Sequence, residues 1–214
     1  MTDLFACEEP AAWRSVQDKY WDVVEAKSKS KKPGKLLILE KWYQEELPML
    51  ISGRSDKHVT LSEMVKLMEW KLTRGKFRPR LQQLAAIAEL SSLKGVGPAT
   101  ASAVLAAGAP EQTAFMSDEA MESVPGLKPI QYTAKHYALY LGKMVERTKK
   151  LNKVDPQRDW TPHRLELCLW AMRVATQLQL PLIKEVDVKG GGATAAKGSD
   201  SDSDHRPKKK LKTK

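Results

Sequence analysis

The segment Leu93-Lys94-Gly95-Val96-Gly97-Pro98-Ala99-Thr100-Ala101 decides how this chain is interpreted. It has the form of a helix end, a turn with two glycines, and a second helix that begins at once with proline in its first turn. Glycine tolerates backbone conformations that other residues avoid, and it leaves the neighbouring amides uncovered. Amides exposed at a helix start attract anions, so the turn is a candidate phosphate-binding site. A helix corner that binds nothing is the alternative interpretation.

The sequence on both sides of this turn predicts further helices. Thr60-Leu61-Ser62-Glu63 fits a capping box, and Val59 and Met64 stand where a hydrophobic staple places its two apolar residues. Thr161-Pro162 is typical of an N-cap followed by proline at the first helical position. From residue 165 to 178, apolar residues surround most of the helix circumference, which indicates a central, buried helix. No alternating strand pattern competes with these signals.

These patterns predict one all-α domain between a flexible N-terminus and a disordered C-terminal tail. The domain is expected at residues 9–186, after a flexible N-terminus at 1–8. From Lys189 onward the composition shifts to Gly, Ala, Ser, Asp and Lys, so a disordered tail is expected at 187–214.

The charge of the chain points to a polyanionic partner. The 214 residues carry a formal net charge of +10. Residues 197–214 contain seven Lys or Arg and three Asp, a net +4, so the rest of the chain carries +6. Because the body is basic without the tail, nucleic acid is the first candidate partner.

Several function classes are disfavoured by composition. Cys7 and Cys168 are too few for a four-cysteine zinc or iron–sulfur site, and the four histidines are scattered. We therefore expect no metal and no cofactor. No apolar run has the length of a membrane span, and the first residues lack the features of a signal peptide, so we expect a reducing compartment and no membrane contact.

The tail contains a compact basic run. Such runs are typical of nuclear import signals, and this one consists of Lys208, Lys209, Lys210 and Lys212. It predicts a nuclear location and the import machinery as a partner. A basic arm that only adds nonspecific affinity for nucleic acid is the alternative, and the two are compatible.

With its hydrophobic residue, its GxG and its Thr-Ala pair, the opening segment resembles the helix-hairpin-helix element of DNA repair proteins. The resemblance implies a clamp on a DNA backbone phosphate that positions the duplex and reads no bases. The residues that it assigns to this clamp are Lys94, Gly95, Val96, Gly97, Ala99 and Thr100.

The segment Phe115–Met121 extends the resemblance to the helix-hairpin-helix DNA glycosylases. Those enzymes place an essential aspartate at a helix start shortly after the hairpin, and Asp118 matches it. A carboxylate there would stabilise the positive charge that builds on the sugar as the glycosidic bond breaks. Bifunctional members carry a lysine where this chain has Ala99, so lyase chemistry is not implied. Ser117 also departs from the family's proline before the aspartate.

A helix cap is the structural alternative for Asp118, because Ser and Asp are both favoured at N-caps. The features together predict a nuclear DNA-binding protein that is a non-catalytic relative of DNA glycosylases. The first alternative is a monofunctional DNA N-glycosylase of base excision repair with Asp118 as its catalytic carboxylate. The second is a helical protein-interaction domain that binds no DNA.

A basic segment before the hairpin is the second candidate site. Five cations fall within ten residues and surround Phe77, and they predict a surface that tracks phosphates: Lys71, Arg74, Lys76, Arg78 and Arg80. A solvated loop is the alternative. We expect Trp70 and Trp170 in the core, Lys27–Lys35 in a flexible loop, and Glu119 and Glu122 in solvent.

Overall fold

In a computed structural model, the described residues are 3–29, 34–75 and 96–181. Every regular element in these three ranges is helical, which confirms the all-α prediction. A short 3-10 turn at Leu4–Ala6 precedes nine α-helices, numbered here in chain order: α1 Pro10–Asp18, α2 Tyr20–Lys29, α3 Lys35–Lys41, α4 Leu47–Ser52, α5 Leu61–Arg74, α6 Pro98–Gly108, α7 Asp118–Glu122, α8 Ala134–Val154 and α9 Pro162–Gln177. A π-helical turn, Trp42–Glu46, joins α3 to α4.

The helix-start signals act as predicted. At α5 the Thr60 hydroxyl accepts from the Glu63 amide at 3.4 Å, and the Glu63 carboxylate accepts from the Thr60 amide at 2.8 Å. This is the reciprocal pair of a capping box. At α9 the Thr161 hydroxyl accepts from the Arg164 amide at 3.1 Å, and Pro162 occupies the first helical position. Local sequence chemistry therefore fixes where both helices begin.

Two expected element boundaries differ from the structure. The helical spacing of Trp13, Val16, Tyr20, Val23 and Val24 predicts one helix, which the structure divides at Lys19 into α1 and α2. A second apolar stripe, formed by Leu36, Leu39, Trp42 and Tyr43, predicts a helix that ends near Pro48, whereas the helical segment continues to Ser52. The π-helical turn places Pro48 in the first turn of α4, where a missing amide costs little.

The buried apolar side chains form two clusters. The first core cluster surrounds α9, which packs against α1, α2, α7 and α8, and it includes Trp170. The second core cluster lies among α3, α4, α5 and α6, and it includes Trp70. Both tryptophans are 0% exposed, which confirms the prediction that they belong to the core.

The N-terminal segment is packed rather than separate. Leu4 and Cys7 are buried in the first core cluster, and the Cys7 carbonyl accepts from the Trp13 indole at 2.9 Å. The division between residues 1–8 and the domain is therefore wrong from Leu4 onward. The expected tail lies outside the described residues.

Candidate nucleic-acid interface

The N-terminus of α6 carries the described part of the hairpin. Gly97 is the N-cap, Pro98 opens the helix, and the amides of Thr100 and Ala101 donate to the Gly97 carbonyl at 2.9 and 3.0 Å. No side chain of a described residue caps this helix start. Val96, just before it, is 40% exposed. Within the described residues, the positive pole of the helix is thus not covered by a side-chain cap. Lys94 and Gly95 lie outside the described residues.

Gly97 is not needed for its backbone conformation. Its φ of −73° and ψ of 170° are extended values that any residue adopts, so the expectation of an obstructed conformation is wrong here. A Cβ built on Gly97 meets nothing within 4 Å among the described residues. Among the described residues, the glycine therefore leaves open the approach to the Ala99 amide, since Pro98 has no N–H and the Thr100 amide already donates to the Gly97 carbonyl.

Lys71 and Thr100 meet at this helix start. The Lys71 ammonium donates to Thr100 Oγ1 at 2.6 Å, and the same hydroxyl lies 3.5 Å from Met68 Sδ. Thr100 is only 3% exposed, so its hydroxyl faces the interior and does not point towards an incoming phosphate. Lys71 is partly buried, and burial lowers its pKa to about 8. The contact fastens the end of α5 to the first turn of α6.

Arg74, assigned from sequence to the DNA-binding patch, lies in the interior and is 0% exposed. Its guanidinium donates to the two carboxylate oxygens of Glu166 at 2.7 and 3.0 Å, and its Nε lies 3.5 Å from Glu40 Oε2. Burial by itself lowers the pKa of Arg74, but these carboxylates raise it overall, so the group stays charged. The assignment of Arg74 to a DNA-binding surface is therefore wrong.

Glu40, Arg74 and Glu166 form a buried ionic layer between the two core clusters. The Arg74 guanidinium carbon lies 4.3 Å from the ring centre of Trp170 in the first cluster and 5.4 Å from that of Trp70 in the second. Glu40 accepts from the Tyr20 hydroxyl at 2.6 Å and from the Trp70 indole at 2.8 Å. Hydrogen bonds from both sides compensate the cost of burying these charges.

Two further charged residues join the same region, against expectation. Lys27 lies in α2, not in a flexible loop, and its ammonium donates to the Arg74 carbonyl. It also lies 3.8 Å from Glu119, which is 1% exposed and so is not a solvated acid. Glu122 pairs with Arg173 at 2.9 Å. Charged residues that the sequence analysis placed in solvent or in a loop thus form contacts inside the fold.

Asp118 is the first residue of α7 and follows Ser117, which contacts the buried ionic layer. Ser117, not Asp118, is the cap: its hydroxyl accepts from the Ala120 amide and donates to Glu166 Oε1 at 2.5 Å. The Asp118 carboxylate is partly exposed and accepts from the Tyr132 hydroxyl. Asp118 is therefore not the N-cap of α7, which was the structural alternative to a catalytic role.

The remaining site predictions lie outside the described residues. These are Lys76, Arg78 and Arg80 of the basic segment and the tail lysines 208, 209, 210 and 212. Across residues 3–29, 34–75 and 96–181, no group of three or more His, Cys, Asp or Glu is arranged to hold a metal ion. None of the helices in these same ranges is long and apolar enough to cross a membrane.

Sequence reasoning missed Lys27, Glu40, Glu166 and Tyr132. Two of these carried a detectable signal. Glu40 follows the run Leu36-Leu37-Ile38-Leu39, and Glu166 lies inside the helix that was expected to be apolar on most sides. A carboxylate at such a position needs a buried cation, which the sequence does not identify.

Comparison of the chain with protein-family models, with curated proteins and with solved structures finds no match in any of the three.

Proposed function

We propose that this chain is a nuclear DNA-binding protein that holds a backbone phosphate at the start of α6, as a non-catalytic relative of the helix-hairpin-helix DNA glycosylases. The observation that carries the proposal is Gly97: it is a helix N-cap with no side chain and an ordinary backbone conformation, and a Cβ built on it meets nothing within 4 Å among the described residues. A phosphate oxygen can approach the Ala99 amide, which a capping side chain at position 97 would cover.

Charge supports the same proposal. Lys71 brings an ammonium to the first turn of α6, and it forms no ion pair with a carboxylate among the described residues. The body of the chain is basic without its tail. A phosphate would supply an anion to this helix start and this lysine, to which no described residue brings a carboxylate.

The test is the variant Gly97→Asp. Aspartate is favoured at N-caps, so its carboxylate would occupy the amides of α6 and repel a phosphate while leaving the helix intact. Binding of the full chain to a fluorescent DNA duplex is measured by anisotropy across a salt titration. We expect at least a tenfold loss of affinity, a salt slope reduced by about 1, and a stability unchanged or raised by a few tenths of a kcal/mol.

Gly142→Asp is the matched control. Gly142 lies in α8 with open space around its Cβ position, so the same charge change is made far from α6 in the sequence. This variant should lose much less affinity than Gly97→Asp. Equal losses would show that net charge, not the helix start, governs binding. No affinity of the unmodified chain at low salt would overturn the proposal and leave the protein-interaction alternative.

A monofunctional DNA N-glycosylase is the second candidate, and the position of Asp118 favours it. Ser117 is the N-cap of α7, so capping does not account for an aspartate at position 118. The Asp118 carboxylate is partly exposed. An active enzyme would release a base from some duplex of a lesion panel, and Asp118→Asn would abolish the release at unchanged thermal stability. Glu111→Gln, at an exposed position, is the control that should retain it. Failure of the whole panel would remove this candidate.

A further inference from the structure

Most of the net positive charge of the body lies on one helix, α8. Residues 134–154 contain six Lys or Arg and one Glu, a net +5, whereas the whole body carries +6. The rest of the body therefore carries only +1. Helix α6, which begins at the proposed phosphate contact, contains no charged residue. The net charge that attracts a polyanion to the body thus comes largely from α8.

Three exposed cations lie at the end of α8 and just beyond it, and we call them the α8 basic patch: Lys149, Lys153 and Arg158. The acids nearest to them in the chain pair with other cations. Glu146 pairs with Lys150 at 3.1 Å. Asp155 and Asp159 both pair with Arg14, at 2.6 and 2.5 Å. Among the described residues, no carboxylate pairs with the patch itself.

The loop that carries Arg158 is held against the last turns of α8. The Asn152 side chain accepts from the Trp160 amide and donates to the Trp160 carbonyl, both at 2.9 Å. The Arg158 amide donates to the Asp155 carbonyl at 3.2 Å, which closes a turn directly after the helix. Arg158 therefore belongs to the same end of α8 as the two lysines.

Local structure does not account for the charges of the whole patch. A lysine in the last turn stabilises the negative pole of a helix, which accounts for Lys153, but Lys149 precedes that turn and Arg158 follows the helix. Arg158 has a φ of 48°, in the left-handed region that glycine adopts at lower cost. Lysine is depleted at protein–protein interfaces, whereas Lys and Arg are the residues that neutralise nucleic-acid phosphates. The patch therefore fits a phosphate backbone better than a protein surface.

We propose that the α8 basic patch contacts the phosphate backbone of duplex DNA, as a second contact in addition to the one at the start of α6. This inference rests on the DNA binding proposed above and extends it to a second surface. Both contacts are made to the backbone, so they position the duplex and read no bases. Each cation that neutralises a phosphate adds about 0.9 to the salt slope of binding.

The variant Arg158→Gly tests one cation of the patch. Glycine adopts a φ of 48° without strain, so the charge is removed and the melting temperature should be unchanged or higher. Binding of the full chain to a fluorescent DNA duplex is measured by anisotropy across a salt titration. We expect the affinity to fall about threefold and the salt slope to decrease by about 1, because one phosphate contact is lost.

Lys57→Gly is the matched control. Lys57 is exposed, has the same φ of 48° and lies in the loop before α5, so the same charge is removed from the same backbone conformation. Its salt slope should be unchanged and its affinity should stay within about twofold of the unmodified chain. Equal losses in the two variants would overturn the second contact, since net charge alone would then govern binding.

The triple variant Lys149→Gln/Lys153→Gln/Arg158→Gly removes the whole patch and should reduce the salt slope by about 3. If this variant is folded by circular dichroism and its slope is unchanged, while Gly97→Asp loses affinity, the second contact is overturned and the contact at α6 remains. A loss in the triple variant without a loss in Gly97→Asp would support the patch and overturn the contact at α6. No affinity of the unmodified chain at low salt would overturn DNA binding and both contacts with it.

Gly142→Asp remains a valid control for the contact at α6. Gly142 lies about 10 Å before Lys149 along the helix, which is about one Debye length at 0.1 M salt. An acid at position 142 should therefore reduce the affinity much less than the triple variant does.

Discussion

At the scale of single residues, Arg74 shows how burial changes the meaning of a charge. In the sequence it is one of five cations in a short segment, yet its partners are two buried glutamates. A buried ion pair contributes little net stability, because desolvation offsets the attraction, but removing one partner leaves the other buried and unpaired. Arg74 therefore matters to folding and not to contact with a polyanion.

Arg74→Met should be strongly destabilising without a specific effect on DNA. We expect a loss of about 3–5 kcal/mol in the free energy of unfolding, measured by urea denaturation, because Glu40 and Glu166 lose their shared cation. The double variant Arg74→Met/Glu166→Gln should lose less than the sum of its single variants. A loss below about 1 kcal/mol, or additive effects, would contradict the buried ionic layer.

At the scale of elements, the start of α5 is stabilised by its capping box and by an ion pair between Glu63 and Arg54. Glu63 completes the capping box and also accepts from Arg54 at 2.5 and 2.8 Å. The hydrogen bond from Arg54 is the main cause that lowers the pKa of Glu63 to about 2. A lowered carboxyl pKa gives stability that is present above the unfolded value of about 4.3 and is lost as pH falls towards 2.

Glu63→Gln therefore has a pH-dependent cost. Glutamine can still complete the capping box, but it loses the charge that binds Arg54, so we expect a loss of about 1 kcal/mol at pH 7. The difference from the unmodified chain should shrink between about pH 4.3 and pH 2 in urea denaturation, because Glu63 itself becomes neutral there. Thr60→Ala removes the cap without removing a charge, so its cost should vary much less with pH. Parallel pH profiles of the two variants would contradict this account.

At the scale of the whole molecule, positive charge is divided between a packed body and a basic tail. The body carries +6 and includes the proposed clamp on α6, and residues 197–214 carry +4. The two core clusters meet at the buried ionic layer. Arg74 is paired with Glu166 in this layer, and Lys27 lies beside it near Glu119. Fewer cations are thus available to a polyanion than a count along the sequence indicates, but the net charge outside the layer is not reduced, because two cations are buried with three carboxylates, Glu40, Glu119 and Glu166.

Replacing the tail lysines 208, 209, 210 and 212 by glutamine should abolish nuclear accumulation of a fluorescent fusion. The basic run is then absent while the domain is unchanged. The control replaces four lysines of the body, 57, 135, 149 and 153, which changes net charge equally and should preserve import. Loss of import in both variants, or in neither, would contradict a signal in the tail.

The helical class, the capped starts of α5 and α9 and the core tryptophans could be predicted because each depends on neighbours within a few residues. The candidate site was predictable only in part. The open start of α6 followed from Gly97-Pro98, whereas the inward hydroxyl of Thr100 follows from Lys71 and Met68 on another helix.

The sequence by itself determined that the regular elements of the described residues are all helical, where several helices start, and that the body is basic, since periodicity, caps and charge are local or additive properties. Only the tertiary structure decided which charges face solvent. Arg74 and Glu166 are 92 residues apart in the chain and 2.7 Å apart in the fold. Ser117 donates to Glu166 of the buried ionic layer and is also the N-cap of α7. The next residue, Asp118, is partly exposed. Burial depends on contacts between distant segments, and no local pattern encodes them.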